Sequence, residues 1–491
     1  MAELKLLAFD MGASGGRAVL GRFDGERLEA EDLHRFEHTY NSAGPVWHWD
    51  VERMREEMAL GFAACKRRAG EPACFGVDTW GVDYGLLDED GRLLDVVRAY
   101  RYATDAEMEA AWERVDKETM FRRTGIAAMN FNTAYQLYRR VLEGDEALAR
   151  ARDLLLLPDL LGYFLTGEKA SEYTNVTTTN LYNPLERDWD WELIGALGIP
   201  RRVFTPIQPA GSLRGRLLPA VAGALGLGRV PFAAVGTHDT ASAVAAIPGQ
   251  GDFAFCSSGT WSLFGTETPE PLLEREVYAA NFSNEGTVQG GFRPLKNIMG
   301  LWIIQECRRE WAQGGKPLAW EDITGAAAKA PPLRSLIDPD DLRFFSGGGM
   351  VGKIQAYCAE TRQPVPEGLG PVARCVYESL ALKYRWAIGR LAAIKGAPIT
   401  TLNIVGGGSK NRLLNQLTAD ATGLPVLAGP AEGASLGNLL MQAMALGELK
   451  DIGELRQVVR RSCEPVRYDP HPAQGYDAAY ERLCRLAGLR G

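Results

Sequence analysis

Leu4-Lys5-Leu6-Leu7-Ala8-Phe9-Asp10-Met11-Gly12-Ala13-Ser14-Gly15-Gly16-Arg17 is an apolar run that ends on an acid, followed by a turn of small residues and an arginine. The apolar run predicts a strand over 4–10, and the small residues predict a sharp reversal into a second strand over 17–23. Asp24-Gly25-Glu26 supplies the next turn and residues 28–38 a third strand, so the chain opens as a meander. Small residues at 12–16 let backbone N–H groups approach an anion, and such a nest binds phosphate without a positive side chain. A carboxylate at the strand tip, Asp10, is placed to hold Mg²⁺ or its water shell. The alternative is a glycine-rich hairpin with a surface acid, and the segment alone does not choose between them.

The same pattern returns in the second half. A strand over 253–256 meets Ser257-Ser258-Gly259-Thr260 and a second strand over 261–265. Later a strand over 402–405 enters Gly406-Gly407-Gly408-Ser409, with a helix from about Asn411. Another strand covers 425–427, with a helix from about Ala434. Between the two halves, 51–68 reads as an amphipathic helix through Met54, Met58, Phe62 and Cys65, followed by strands over 74–78 and 82–88. Residues 105–200 are expected to be mainly helical. A strand pair hinged on a phosphate-sized turn in each half predicts two related α/β domains facing a cleft. They are expected over 1–248 and 249–460, with 461–491 as a C-terminal extension. The turn-rich Pro248-Gly249-Gln250-Gly251 is the expected boundary.

At 491 residues the chain is long enough for two domains of ordinary size. Its formal charge of −8 argues against nucleic acid or an anionic membrane as the main partner. No stretch approaches the ~18 apolar residues of a membrane span, and the start has no signal-peptide pattern, so a cytoplasmic protein is expected. Eight cysteines are scattered without CxxC pairs. Cys358 and Cys375 flank a proline-containing loop and read as buried thiols, a disulfide being the alternative.

Four segments carry candidate chemistry. The first is the 10–17 turn. The second is Gly236-Thr237-His238-Asp239-Thr240, after a strand over 231–235. A carboxylate there can accept the proton of an attacking hydroxyl, which phosphoryl transfer needs more than a covalent nucleophile. Asp239 or Thr240 as the cap of the following helix is the competing reading. The third is Ser257–Thr260, whose N–H groups and Thr260 hydroxyl suit a γ-phosphate or simply close a hairpin. The fourth is Gly406-Gly407-Gly408-Ser409, a strand-to-helix turn that suits a nucleotide along a helix N-terminus. Glu432-Gly433-Ala434-Ser435-Leu436-Gly437 reads instead as a helix packed tightly on a sheet. Gly347-Gly348-Gly349-Met350-Val351-Gly352-Lys353-Ile354 nearly matches a Walker A loop, but Ile354 replaces the Mg²⁺-binding hydroxyl, and it reads as a structural loop.

In this order the motifs resemble the FGGY carbohydrate kinases. The resemblance runs through Val77-Asp78-Thr79-Trp80-Gly81-Val82-Asp83-Tyr84, Asn132–Leu137, Pro158-Asp159-Leu160-Leu161, Glu172-Tyr173-Thr174-Asn175 and Thr177-Thr178-Thr179. It continues through Thr237–Thr240, Ser257–Ser262 and Leu295-Lys296-Asn297-Ile298-Met299-Gly300-Leu301-Trp302, and covers about residues 4 to 450. It implies an α/β fold of two actin-like (ribonuclease H-like) ATPase domains flanking a catalytic cleft. It also implies ATP and Mg²⁺ as cofactors and a small-molecule ketose as substrate, phosphorylated by a monomer or small homo-oligomer.

By that resemblance Asp239 is the catalytic base and Asp10 the residue near the metal. Ala13, Ser14, Gly15, Gly16, Arg17, Thr260, Gln305 and Gly407 are ATP contacts. Gly81, His238, Asp239, Thr240 and Asn297 are sugar contacts. The implied reaction places a phosphate on the 1-hydroxyl of L-rhamnulose. Another ketose or polyol (L-fuculose, L-ribulose, D-xylulose, glycerol) is the near alternative, and a non-transferring actin-like ATPase or sugar sensor the distant one. Tyr102-Ala103-Thr104-Asp105 departs from the pattern usual after Tyr100-Arg101, and so bears on the choice of sugar.

Overall fold

The computed structural model describes residues 3–249, 251–312, 315, 318–472 and 475–489. It divides into two compact units. The first holds Met1–Pro248, Glu267–Pro294 and Gly433–Cys463, and the second Gly249–Thr266, Leu295–Glu432 and Glu464–Gly491. The sequence reading runs a second domain from 249 to 460 and treats 461–491 as an extension. By contact, 267–294 and 433–463 pack with the first unit instead, and 464–491 with the second. Gln250, within the expected boundary, lies outside the described residues.

In the first unit Leu4–Gly12, Gly15–Phe23 and Leu28–Glu37 form the predicted antiparallel meander. Cys74–Thr79 adds parallel to the opening strand, Pro231–Ala234 adds parallel to that, and Ser212–Arg216 closes the edge antiparallel. The opening strand is apolar over Leu6–Phe9 because both its faces are covered. Leu7, Phe9 and Met11 pack with Met54, Met58 and Phe62 of the helix Val51–Ala69. Leu6 and Ala8, one step out of phase, pack with Leu436, Leu439 and Leu440 of the helix Gly433–Ala445. The period of two therefore aims Asp10 at the second helix rather than the first.

Two amides and a hydroxyl are buried on that second helix: Ser435, Asn438 and Gln442, at 1 %, 0 % and 0 % exposure. They recur at helical spacing and face the strand ends. Gln442 Nε2 donates to Leu7 O (3.0 Å) and to Asn438 Oδ1 (2.8 Å). The helix reaches this position because it crosses Asp239–Ala245 at backbone distance. A Cβ on Gly437 would overlap Ser242 O, and one on Gly433 would lie 3.4 Å from Ala243 Cα.

The second unit repeats the order. Phe253–Ser258 lies central, with Trp261–Gly265 antiparallel to it and Phe292–Met299 beyond, paired through Leu295–Met299. Thr401–Val405 and Val426–Ala428 add in parallel on the other side, and Val466–Tyr468 closes antiparallel. Its core is threaded by the helix Leu369–Lys395, where Tyr384 stacks on Phe264 (5.4 Å) and meets Ser262 Oγ at 2.6 Å. Cys358 and Cys375 are buried free thiols. Among the described residues no helix is long and apolar enough to cross a membrane.

The tight crossing gives a stability prediction. Gly437→Ala forces a methyl into Ser242 backbone and should lower unfolding free energy by about 1–3 kcal/mol. Urea unfolding followed by far-UV circular dichroism checks this, and an unchanged midpoint would mean that the two helices can separate freely.

Candidate functional site

Three parallel strands of the first unit end side by side, and their C-terminal ends gather the acids. Asp10 pairs in register with Asp78 on one side and with Arg17 on the other. Arg17 donates to Asp10 Oδ2 through Nη2 (2.7 Å) and Nε (3.1 Å), and Ser435 Oγ donates to the same oxygen at 2.5 Å. Asp78 is fully buried; Asn438 Nδ2 donates to its Oδ2 at 2.5 Å, and its Oδ1 has no partner. Burial pushes the Asp78 carboxyl well above the usual range, with the charge of Asp10 adding and Asn438 opposing.

The hairpin after Asp10 turns on Ala13 and Ser14. Its glycines have a packing reason of their own. A Cβ on Gly15 would sit 2.8 Å from Phe36 O, and one on Gly16 would strike the Phe36 ring. Smallness at 15 and 16 is thus demanded by the third strand, whatever else the turn does.

The third strand end leads into Thr237-His238-Asp239, and this turn is held by Glu172. The Glu172 carboxylate, 0 % exposed, accepts from Thr237 N (3.1 Å), Thr237 Oγ1 (2.8 Å), Thr174 N (3.0 Å) and Thr174 Oγ1 (2.5 Å). Thr79 N donates to Thr237 O at 2.9 Å, and Thr79 bridges to His238 in parallel, so two strand ends share one anchor.

Asp239 opens the helix Asp239–Ala245 but does not cap it: His238 holds the cap position, with no side-chain cap bond. The Asp239 carboxyl is therefore not spent on the backbone as the capping reading requires. Its side chain keeps 30 % exposure, and Thr240 Oγ1 donates to its Oδ1 at 3.1 Å. Loss of solvation raises its pKa; His238 and Thr240 hold it down, and Asp10 pushes it further up. The buried His238 ring turns Nε2 to Asp239 Oδ1 (3.5 Å) and Nδ1 to both Glu285 Oε2 (3.2 Å) and Arg293 Nη2 (3.1 Å). Arg293 Nη2 donates to Glu285 Oε2 at 2.9 Å.

Gly81 lies two residues beyond Thr79 and meets Thr178: a Cβ there would be 2.8 Å from Thr178 Oγ1. Val82 takes φ +71°, a conformation a β-branched residue adopts only under constraint. The constraint is visible. Thr178 Oγ1 accepts from Val82 N (3.2 Å), while Thr133 Oγ1 (2.7 Å) and Gln136 Nε2 (3.3 Å) donate to Val82 O. Next to it Asp83 is buried, and its Oδ2 accepts from the indoles of Trp49 (2.6 Å) and Trp80 (2.8 Å).

In the second unit Gly259 and Thr260 turn the hairpin, and Thr260 Oγ1 meets Gln305 Oε1 at 3.4 Å. Gln305, with Arg308, Arg309, Ala312 and Trp320, lines a cavity of about 440 Å³. The three glycines at 406–408 separate by role. A Cβ on Gly406 would sit 3.0 Å from Ser258 O and one on Gly408 would strike Ser258 Oγ, whereas one on Gly407 would meet nothing within 4 Å. Gly407 alone presents open backbone. Asn297 is half-buried with an unpartnered Oδ1. The Walker-like loop has its N–H groups taken: Gly348 N donates to Glu306 Oε2 (3.1 Å) and Val351 N to Glu310 Oε2 (3.1 Å).

Within the first unit the structure thus brings together Asp10, Arg17, His238, Asp239 and Thr240, with Gly81 set against Thr178, and within the second Thr260 and Gln305. Sequence reasoning missed Ser435, Glu285 and Arg293. Ser435 sat in a stretch read as pure packing; Glu285 and Arg293 lie on either side of a Gly290-Gly291 turn with no signal beyond opposite charge.

Comparison with known proteins identifies the family. The N-terminal domain of the FGGY family of carbohydrate kinases matches residues 5–246, and its C-terminal domain matches residues 254–446. The chain is 41 % identical over 475 residues to a rhamnulokinase of Bacteroides thetaiotaomicron, covering 96 % of this chain and 97 % of that one. It is 42 % identical over 474 residues to a rhamnulokinase of Enterococcus faecalis, covering 95 % and 94 %. Among solved structures, a ligand-bound xylulose kinase from Lactobacillus acidophilus superposes with TM-score 0.83 at 17 % identity, over 99 % of this chain and 98 % of that one. Plasmodium falciparum glycerol kinase with ADP gives TM-score 0.76 at 15 % identity, over 99 % and 97 %. The chain belongs to the FGGY family of carbohydrate kinases and has that two-domain α/β fold.

The Asp83 environment carries a pH prediction. Burial pushes this carboxyl up to about 7, against the two indole donors. A raised folded pKa means its contribution to stability is complete below the unfolded value near 3.8 and is lost as pH rises toward 7. Asp83→Asn removes that dependence. The stability of the variant relative to the parent should rise between pH 4 and pH 7 by about 4 kcal/mol, at about 1.4 kcal/mol for each pH unit. Denaturant unfolding of both proteins across that range measures it; parallel curves would mean that Asp83 ionises normally.

Proposed function

We propose that this member of the FGGY carbohydrate kinases transfers the γ-phosphoryl group of ATP to the 1-hydroxyl of L-rhamnulose, giving ADP and L-rhamnulose 1-phosphate. The observation that carries the reading is the Asp239 carboxyl. It stands at a helix start without capping it, partly desolvated, with a buried histidine at one oxygen. Near-full-length identity of about 40 % to several proteins named rhamnulokinase supports the choice of sugar.

In the proposed reaction Asp239 accepts the proton of the 1-hydroxyl. The oxygen then forms its bond to the γ-phosphorus as the bond to the bridging oxygen of ADP breaks. Gly81, His238, Thr240 and Asn297 hold the sugar. The backbone from Ala13 to Arg17 and the groups of Thr260, Gln305 and Gly407 hold ATP, as preorganised dipoles toward the growing negative charge. Among the described residues no group of three or more His, Cys, Asp or Glu side chains is arranged to hold a metal ion. That fits Mg²⁺ at a nucleotide, which takes one or two carboxylates and completes its shell with phosphate and water. Asp10 is the carboxylate that would hold it, since its present bonds all fall on Oδ2. When bound, Mg²⁺ supplies neutralisation of the phosphate charge. The setting is the cytoplasm.

A second reading keeps the chemistry and changes the sugar, and the 100–105 segment favours it. Thr104 is spent on a capping box with Glu107 for the helix Asp105–Arg114, and Tyr102 lies under the Arg139 guanidinium at 4.0 Å. These side chains serve the fold, so they leave that loop with fewer groups for a substrate.

ADP release with ATP and Mg²⁺ against L-rhamnulose, L-fuculose, L-ribulose, D-xylulose and glycerol tests the assignment. L-Rhamnulose should give the highest kcat/KM. A displaced optimum would keep the kinase and move its specificity, and sugar-independent hydrolysis alone would overturn it. Asp239→Asn should lower kcat by about 10²–10⁴-fold with ADP affinity unchanged; full activity in this variant would remove Asp239 as the base.

A further inference from the structure

The first unit buries an ion pair that the reaction as described does not use. Glu285, on the strand Ser283–Gly286, is 8 % exposed, and Arg293, at the start of the neighbouring strand Phe292–Met299, is 0 % exposed. Burying two charges costs several kcal/mol per ion, and an apolar pair of similar volume is often as stable, so such a pair calls for a reason other than stability. Nor does Arg293 use its hydrogen-bonding capacity well. Its Nε and Nη1 are buried without a partner, and only Nη2 is engaged. That one nitrogen makes a near-equilateral contact with Glu285 Oε2 (2.9 Å) and His238 Nδ1 (3.1 Å), and Glu285 Oε2 lies 3.2 Å from the same Nδ1. A guanidinium placed for stability would not leave two N–H groups unmade in order to bring the third to an imidazole edge.

The other edge of the ring explains the placement. His238 Nε2 faces Asp239 Oδ1 at 3.5 Å, and the ring makes no capping bond to the helix it precedes. Arg293 Nη2 therefore donates to Nδ1, Glu285 accepts from the same guanidinium and holds it in place, and the Nε2–H tautomer this requires addresses one oxygen of the neighbouring acid. Where a histidine's far nitrogen acts is set by the partner of its near one. Thr240 Oγ1 donates to the same Asp239 oxygen at 3.1 Å, so both neighbours gather on Oδ1 and Oδ2 is left for the incoming hydroxyl.

We propose that Glu285 and Arg293 are positioning residues for phosphoryl transfer: gripping His238 by Nδ1, they aim Nε2 at Asp239 Oδ1 and so present Oδ2 to the substrate hydroxyl. The inference rests on Asp239 being the base, and its test keeps the two apart. Glu285→Ala in the full chain, assayed with ATP and the sugar that the panel selects, lowers kcat about tenfold to a hundredfold, as small misplacements of a reacting group do. KM for ATP stays within about twofold. Glu285→Gln, which keeps an acceptor oxygen for Arg293, recovers most of the loss. The decisive readout is the double variant. In an Asp239→Asn background, Glu285→Ala lowers the residual rate no further, because the group it positions is gone.

An equal loss in both backgrounds would mean that Glu285 merely supports the fold and would overturn the proposal, as would parental kcat in Glu285→Ala. Parental kcat in Asp239→Asn would instead overturn the base itself. Thermal unfolding and ADP titration of each variant separate a folding failure from a catalytic one. If Glu285→Ala does not fold, Arg293→Lys takes its place in the cycle with the same expected non-additivity.

Discussion

The Thr237–Asp239 turn takes its shape from one buried carboxylate. Glu172 reaches it from 65 residues away in sequence and accepts both the amide and the hydroxyl of Thr237. A carboxylate with no solvent is costly, and burial does raise the Glu172 pKa; its threonine donors oppose that rise. The cost is confined to one side chain, and the return is distributed. With Thr237 fixed, its carbonyl accepts from Thr79 N, which aligns the end of the Cys74–Thr79 strand, and His238 N lies 3.3 Å from Thr174 Oγ1. The direction in which His238 and Asp239 leave the sheet therefore follows from Glu172 before either makes a contact of its own.

A second consequence concerns strain. The Gly81–Val82 loop begins where the aligned strand ends, and Val82 is held at a positive φ by three side chains from two separate segments. Those segments, 132–137 and 177–179 together with the loop itself, are among the longest blocks that carry the family resemblance. The side chains of Thr133, Gln136 and Thr178 are spent on the Val82 backbone. They over-determine a backbone conformation that would otherwise relax. Much of what makes the chain recognisable is therefore scaffolding for a loop, and only a few of the shared positions offer free polar atoms.

This also explains what the sequence could and could not disclose. The opening meander, the helix at 51–69 and the hairpin at 258–261 were legible because period, turn chemistry and length are local properties. The role of Ser435 was not, because its partner Asp10 lies 425 residues away and glycines at 433 and 437 read as packing, which they also are. Membership of 433–463 in the first unit has the same cause: burial of Ser435, Asn438 and Gln442 is decided by the strands they meet, and no local pattern announces it. The glycine turns were half legible. Their spacing pointed to close backbone approach, but only three-dimensional neighbours show that Gly15, Gly16, Gly406 and Gly408 are small for Phe36 and Ser258, while Gly407 faces open space.

Two sheets with the same strand order carry different chemistry at their strand ends. In the first unit the in-register neighbours at the sheet centre are Asp10 and Asp78, and Asp239 follows the next parallel strand. In the second the corresponding neighbours are Ser257 and Val405. Topology alone would offer both units the same place for a ligand, at the ends of parallel strands. Charge separates them. Burial, with the charge of Asp10 adding to it, raises the pKa of Asp78 and of Asp239, so the first unit holds acids that favour taking up a proton, at the cost of repelling any anion not accompanied by a cation. The second unit, uncharged at the same positions, carries no such repulsion. A duplicated fold can thus present different chemistry on its two sheets by substituting a few strand-end residues, with the sheets themselves unchanged.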